Sequence, residues 1–256
     1  MARFQFLGTL LILLVAGCAT VTNPITDQPE SILISEQQEI QIGRSVAQEI
    51  ARQMKLVRHS DWVAYVEDVG YQVADVSDRP NLPYQFRVVA DKELNAFSTP
   101  GGWVYINMGL VRIANEDELA AVLAHEVGHI AARHSVKHMQ TQMGYQWLIS
   151  LAGAFGGVDQ NAQKIAGAAF DLIQRGFSRE DELEADILAI RYTYWVGYNP
   201  KALITILKKM QEEEKREPSA IERFISTHPA LSERIARAEE ELEIFLEEER
   251  QFRKSQ

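Results

Sequence analysis

Between residues 125 and 138 the chain reads HEVGHIAARHSVKH, a run that carries four of its six histidines. His125 and His129 form one pair four residues apart, and His134 and His138 form another. Two imidazoles at that spacing share one face of a helix, which is how helices chelate transition metals. Glu126 follows the first histidine, so its carboxylate can reach the open side of a metal held by His125 and His129. In this HExxH arrangement two neutral imidazoles bind zinc, and the glutamate draws a proton from the water that attacks a carbonyl.

Helical phase separates the two pairs. At about 100° per residue, the members of each pair lie about 40° apart, but the pairs themselves lie about 180° apart. One ion cannot take both. Leu119, Val122, Leu123, Ala124, Val127 and Ile130 make the helix apolar around the first pair, so that stretch is expected to be buried. Arg133, Ser135, Lys137 and Gln140 surround the second. A single helix running through the whole segment therefore puts His134 and His138 in solvent, binding nothing.

A catalytic zinc takes three protein ligands and keeps one position open. No third histidine follows at short spacing, which leaves two candidates: the carboxylates of SREDELEAD (residues 178–186) and His228 in STHPALSERI. Glu182 and Asp186 are four apart and share a face with Ile190, pointing inward. An inward Glu182 can take zinc, and an inward Asp186 can accept the free N–H of a ligating histidine. Glu180, Asp181 and Glu184 read instead as a solvated acidic face.

The elements that must position these residues are mostly helical. Ser35 with Gln38, and Asn115 with Glu118, have the spacing of capping boxes. Trp62, Val66, Val69, Val73 and Val76 mark an amphipathic stripe. YQFRVVA alternates like a strand, and GGWVYINMGLV, introduced by a Pro-Gly-Gly turn, is a second strand candidate. A helix is expected from Ser178 to Gly197. Others are expected after Asn199-Pro200 and, in the same way, from Thr227-His228-Pro229. The fold class is mostly α (α+β), with a small sheet beside the histidine helix. The apolar region between about 145 and 173 breaks at Gly156-Gly157 and DQNAQK. Neither half reaches the ~20 residues a membrane span needs, so two packed helices are expected, with contact at a membrane surface left open.

Composition sets the class. The 256 residues are 46% hydrophobic and 24% charged, as in ordinary folded proteins. The formal charge, 26 − 36 = −10, argues against nucleic-acid binding. The first twenty residues have the layout of an export signal, with Arg3 before an apolar core from about Leu7 to Ala16. The only cysteine, Cys18, ends VAGC, which resembles a bacterial lipobox, and Ala19 after it implies the outer membrane. Residues 1–17 are thus read as signal, 18–34 as lipidated terminus and tether, 35–250 as one domain and 251–256 as tail. A cysteine that belongs to the signal and the lack of G-x-S-x-G leave cysteine and serine hydrolase chemistry without support.

HEVGH, then SREDELEAD with its ExxxD core, then THP followed by RI, is similar to the zinc metallopeptidase family of HtpX and the CAAX prenyl endopeptidases. NAFSTPGGWVYINMGLV looks like the segment that precedes the metal helix in that family. The resemblance runs from about residue 90 to 237. It implies a gluzincin-like fold with one zinc per chain held by His125, His129 and Glu182, and Glu126 as catalytic base. It also implies that Asp186 orients a ligand and that His228 and Arg234 lie near the active site. Apart from its signal, the chain is read as lacking the transmembrane helices of the integral-membrane members, and one acidic helix is expected where some periplasmic relatives carry helical repeats.

The expected reaction is hydrolysis of peptide bonds, with His228 either donating to the oxyanion or blocking the site as a fourth ligand. Gly102, Trp103, Val104, Tyr105 and Ile106 are candidates for pairing with an extended substrate, as an edge strand whose glycines allow close backbone approach. The expected setting is the bacterial outer membrane, lipid-anchored and facing the periplasm, with unfolded or misassembled envelope polypeptides as substrates. A zinc-dependent chaperone or assembly factor with secondary proteolysis is the rival.

Overall fold

The structure, a computed structural model, describes residues 19–143 and 160–255. The expected signal, Cys18 and the stretch 144–159 lie outside the described residues. The chain opens with an antiparallel hairpin, β1 (Ala19–Thr22) and β2 (Pro29–Ile32), followed by α1 (Glu36–Gln53) and α2 (Asp61–Asp75). Three strands come next: β3 (Gln85–Val89), β4 (Ala96–Thr99) and β5 (Trp103–Asn107). The rest is helical: α3 (Met108–Ile113), α4 (Glu116–Ala131), α5 (His134–Met143), α6 (Gln160–Ile173), α7 (Arg179–Val196), α8 (Ala202–Arg216), α9 (Glu222–Thr227) and α10 (Leu231–Lys254). The architecture is mostly α with a small sheet, as expected. No helix among the described residues is long and apolar enough to cross a membrane.

Capping fixes where the site-bearing helices start. Asn115 accepts from the Glu118 amide and the Glu118 side chain answers at the Asn115 amide, so α4 begins on a closed capping box. Ser178 and Asp181 do the same for α7, which ends at Gly197 in the left-handed conformation (φ 102°).

Every residue of α4 from Glu118 to Ala131 is buried. The helix is wrapped by α2, α7, α8 and the sheet, which explains its apolar composition on all sides. Gly128, inside HEVGH, lets α7 come close. A Cβ there would lie 3.1 Å from the Ala185 carbonyl oxygen and 3.1 Å from the Leu188 Cβ. With the small Ala185 and Ala189 on the facing helix, this contact brings His125 and His129 to the carboxylates of α7. A second core joins Ile32 of β2 and Ile34 just after it, Ile42, Val46 and Ile50 of α1, Val136 and Met139 of α5, and Phe170 and Ile173 of α6.

Several expectations need correction. The sheet order is β3-β5-β4, with β3 parallel and β4 antiparallel to β5. β5 is therefore central, its backbone groups already paired on both sides, and Gly102–Ile106 cannot add a substrate strand. The close approaches that the turn glycines allow are to the chain's own backbone: a Cβ on Gly101 (φ 75°) would lie 2.6 Å from the Ile40 Cα of α1, and one on Gly102 (φ 102°) 3.2 Å from the Tyr84 Cα. Residues 19–34 are not a loose tether, because the hairpin is formed and Asn23, Ile32 and Ile34 are buried. Nor are 251–254 a tail, since α10 continues to Lys254. Thr227 closes α9 rather than opening a helix, and α10 starts at Leu231 after Ala230 turns through φ 66°.

The largest correction concerns the histidine run. α4 stops at Ala131, Arg133 adopts φ 58°, and α5 starts afresh at His134. The cause is tertiary. Arg79 donates to the Ile130 carbonyl at 2.9 Å, and Arg133 Nη1 reaches the buried Glu39 carboxylate at 2.7 Å. These contacts cap the helix end and offset a left-handed non-glycine residue, which costs roughly 1–2 kcal/mol.

Candidate metal centre

Four side chains from three parts of the chain converge. His125 and His129 of α4, Glu182 of α7 and His228 between α9 and α10 each offer a ligand atom, and these atoms all lie within 4.8 Å of one another. All four residues are buried, none above 3% exposed. The two Nε2 atoms of His125 and His129 face each other at 3.0 Å. Glu182 lies 3.5 Å from His125 Nε2 and 3.4 Å from His129 Nε2.

Each ring is held from behind at its other nitrogen. Asp186 Oδ1 is 2.9 Å from His125 Nδ1, and His134 Nδ1 is 2.8 Å from His129 Nδ1. With protons on the outer Nδ1 atoms, two lone pairs and a carboxylate point at one place, an arrangement that favours a cation between them. Charge points the same way. With both imidazoles neutral, as ligation requires, Glu126, Glu182 and Asp186 carry three formal negative charges in this buried cluster and Arg234 one positive, leaving −2 for a divalent ion to balance.

Arg234 locks the cluster from the side of α10. Its Nε and Nη2 donate to Asp186 at 2.8 and 2.7 Å, and its Nη1 lies 2.8 Å from Glu182 Oε2. Burial raises the cost of charge on Glu182 and on Asp186. His228 and Arg234 nevertheless hold Glu182 well below the usual carboxylate range, and Arg234 with His125 holds Asp186 down. Burial and Arg234 press His125 toward neutrality, but the hydrogen bonds that His125 donates to Asp186 and Glu182 outweigh them and raise it to about 9. Burial dominates at His129, which is pushed well below the ordinary histidine value.

Glu126 stands beside the cluster with one oxygen free. Its Oε1 is 3.6 Å from His228 Nε2, while Oε2 has no hydrogen-bond partner among the described residues. A buried, unpartnered carboxylate oxygen is costly to keep without a use. His228 Nδ1 lies 2.9 and 3.1 Å from the two Glu182 oxygens, and its Nε2 is 3.3 Å from the Ala96 carbonyl of β4. Register makes that contact intelligible. Asn107 N–H donates to the Asn95 carbonyl, so in the antiparallel ladder the alternate residues Ala96 and Ser98 turn their backbone groups away from β5.

The sequence-derived candidates His125, Glu126, His129, Glu182, Asp186, His228 and Arg234 thus meet in one place. Gly102–Ile106 lie behind β4 and do not join them. His134 was expected in solvent but is 1% exposed, and its Nε2 is 3.1 Å from Glu184, a residue read as solvated. The continuous-helix reading hid both; the apolar Val136 and Met139 on the same segment were the available sign of a buried face. Phe177, which stacks on His129 at 4.0 Å between ring centroids, had no signal in the sequence.

An HExxH helix crossed by a carboxylate-bearing helix, with a small sheet alongside, defines a metallopeptidase domain. The profile of Peptidase family M48 matches residues 62–242, and the chain belongs to that family. Among similar proteins, the beta-barrel assembly-enhancing protease of Escherichia coli is 27% identical over 212 residues, covering 78% of this chain and 43% of that protein. The mitochondrial metalloendopeptidase OMA1 of Schizosaccharomyces pombe is 33% identical over 181 residues, covering 69% of this chain and 52% of that protein. The metalloprotease LoiP of Escherichia coli is 29% identical over 154 residues, covering 59% and 60% respectively. The chain spans less than two thirds of each of these relatives.

Proposed function

We propose that this chain is a zinc-dependent endopeptidase acting on polypeptides of the bacterial envelope, in periplasmic protein quality control. The observation that carries the proposal is the convergence of His125 Nε2, His129 Nε2 and a Glu182 oxygen beside an unpartnered Glu126 oxygen. Two imidazoles and one carboxylate suit zinc better than magnesium or calcium, which prefer oxygen ligands. When bound, zinc supplies Lewis acidity toward water and carbonyl oxygen. Glu126 Oε2 takes the proton of the attacking water and returns it to the leaving amine. Asp186, fixed by Arg234, holds His125 in orientation.

Of the two roles open for His228, its position among the ligands favours the fourth donor. It sits against Glu182 and 3.4 Å from His125 Nε2, where a catalytic zinc site needs an open position. His228 must swing aside for substrate to enter, which suits a protease kept shut until a chain is presented. Strand addition moves from β5 to β4, which has no strand on its far side among the described residues and turns Ala96 toward His228; β4 is buried, so its edge meets a chain only once His228 has swung aside. Main-chain pairing there makes cleavage tolerant of sequence, as clearance of unfolded chains requires.

The envelope setting rests on the signal-like start, on VAGC ending at Cys18 and on Ala19, and two acyl-chain signals on such a terminus would anchor it without a span. Radiolabelled palmitate tests it: label on the wild type and none on Cys18→Ala is expected, and label on neither removes the anchor. For the activity, full-length Glu126→Gln is expected to retain its zinc by elemental analysis, to lose cleavage of unfolded envelope proteins, and to trap them. A Glu126→Gln strain that functions as well as wild type would instead favour a zinc-dependent assembly factor.

A further inference from the structure

The two imidazoles of the α4 pair are supported differently. Behind His125 stands a carboxylate, Asp186. Behind His129 stands another imidazole, His134, at 2.8 Å between Nδ1 atoms, and behind that Glu184 Oε2 at 3.1 Å and Asp181 Oδ1 at 3.5 Å from His134 Nε2. A nitrogen–nitrogen hydrogen bond holds one proton. With the His129 Nε2 lone pair turned to the metal centre, that proton sits on His129 Nδ1 and His134 Nδ1 accepts it. His134 must then carry its own proton on Nε2, where Glu184 receives it. One set of tautomers satisfies every contact, and Phe177 stacked at 18° on His129 fixes the ring plane.

We propose that His134 is a positioning residue for the metal centre: it holds His129 in the ligating tautomer, with Glu184 acting through it. The inference rests on the metal-site reading above. It also decides the use of a second cluster. His134, Asp181 and Glu184 place ligand atoms within 4.8 Å of one another and could by spacing alone hold a cation of their own. The proton on His134 Nε2 occupies the lone pair such an ion would need, so of these two clusters only the first holds a metal. The sharp break after α4 has a purpose in this reading, because only a restarted helix brings His134 back onto His129.

The test measures Zn²⁺ affinity of the full chain by competition with a chromophoric chelator, and the visible absorption of the Co²⁺ form. One Zn²⁺ per chain is expected for wild type. Loss of an orienting partner of this kind lowers metal affinity about 10–100-fold. His134→Ala should weaken Zn²⁺ by that factor and alter the Co²⁺ bands. His134→Asn, whose side-chain carbonyl can accept from His129 Nδ1, should recover most of the loss. Glu184→Ala should weaken Zn²⁺ in the wild type and add nothing in the His134→Asn background. If His134→Ala does not fold by circular dichroism, the last two comparisons decide alone. Wild-type affinity and bands in His134→Ala, equal loss in His134→Asn and His134→Ala, an additive Glu184→Ala, or a second Zn²⁺ lost with His134 would each overturn the relay. His125→Ala separates the two levels. If it abolishes binding while His134 variants do nothing, only the relay fails; if wild type binds no Zn²⁺, or His125→Ala binds as wild type does, the metal reading fails and the relay with it.

Discussion

Arg234→Leu tests the electrostatic account of the site most directly. The guanidinium is 2% exposed and lies between two buried carboxylates, Glu182 at 0% and Asp186 at 2%. Burial opposes its charge, but Asp186 and Glu182 hold it ionised above the usual arginine range. Leucine keeps much of the apolar volume and leaves both carboxylates without their cation. Breaking a buried ion pair by removing one partner costs about 3–5 kcal/mol. For a chain of this size 1 kcal/mol shifts the melting temperature by roughly 2–4 °C, so the metal-free variant should melt about 6–20 °C below wild type at pH 7. The pH dependence fixes the cause. In wild type both carboxylates are held below their ordinary values of 4.5 and 3.8. Their contribution is therefore present above that range and lost as pH falls through the lowered values. The variant lacks it, so the two melting curves should converge on acidification. Zn²⁺ returns positive charge to Glu182 but not to Asp186 and should restore part of the loss at pH 7. Scanning calorimetry of both metal-free proteins between pH 3 and 7, with a Zn²⁺-loaded pair at pH 7, measures all of this. A shift under about 2 °C at pH 7, or a gap that widens toward acid, refutes the reasoning.

Other expectations are shorter. Glu126→Gln should keep its metal and lose peptidase turnover by about 10²–10⁴-fold, the usual worth of a positioned general base; comparable turnover would remove Glu126 from the chemistry. His228→Ala should also keep its metal, since three ligands remain, and should cleave an unfolded fluorogenic substrate faster than wild type. A drop in kcat would instead return His228 to the oxyanion role. Ser98→Pro removes an amide that faces away from β5 and should raise KM for peptides with zinc content little changed, whereas unchanged KM in a folded variant would take substrate off the β4 edge. Tyr84 is raised to about 12 by burial, so stability tied to its neutral form is full below pH 10 and lost as pH rises from there toward 12. This falls by at most about 1.4 kcal/mol per pH unit. Tyr84→Phe should flatten that alkaline loss in urea titrations; an unchanged slope would place the tyrosine's charge cost elsewhere.

What could be read from the sequence was what local chemistry dictates. Capping boxes at Ser35 and Asn115, the helix start at Ser178, the stop at Gly197 and the apolar surroundings of HEVGH each depend on residues within a few positions, and each was legible. Glu182 and Asp186 were separable from their acidic neighbours because phase on a regular helix is a local property. β4 was not legible: AFST is only four residues long and buried throughout, so it shows no alternation between faces, and its pairing with β5 is what makes it a strand.

The misreading of HSVKH has the same root, and it explains why a site can exceed its motif. Phase arithmetic over fourteen residues holds only if the helix is unbroken, and nothing in IAARHS breaks one: there is no glycine or proline. The break is imposed from residues 39 and 79, which lie far off in sequence and close in space. Glu39 is 1% exposed and receives Arg79 at both of its oxygens, and by leaving the helical path Arg133 adds a second cation to that buried charge. That departure carries His134 from the solvent side a continuous helix would give it to the back of His129. The short motif specifies two ligands and a base; their orientation depends on an ion cluster at the helix end that no local pattern announces. Relieving that cluster with Glu39→Gln should therefore reach the metal centre, loosening His129 without touching any ligand, and it should do so in the same direction as His134→Ala. A Glu39→Gln protein that folds and binds Zn²⁺ as tightly as wild type would mean the break persists without its buried anchor.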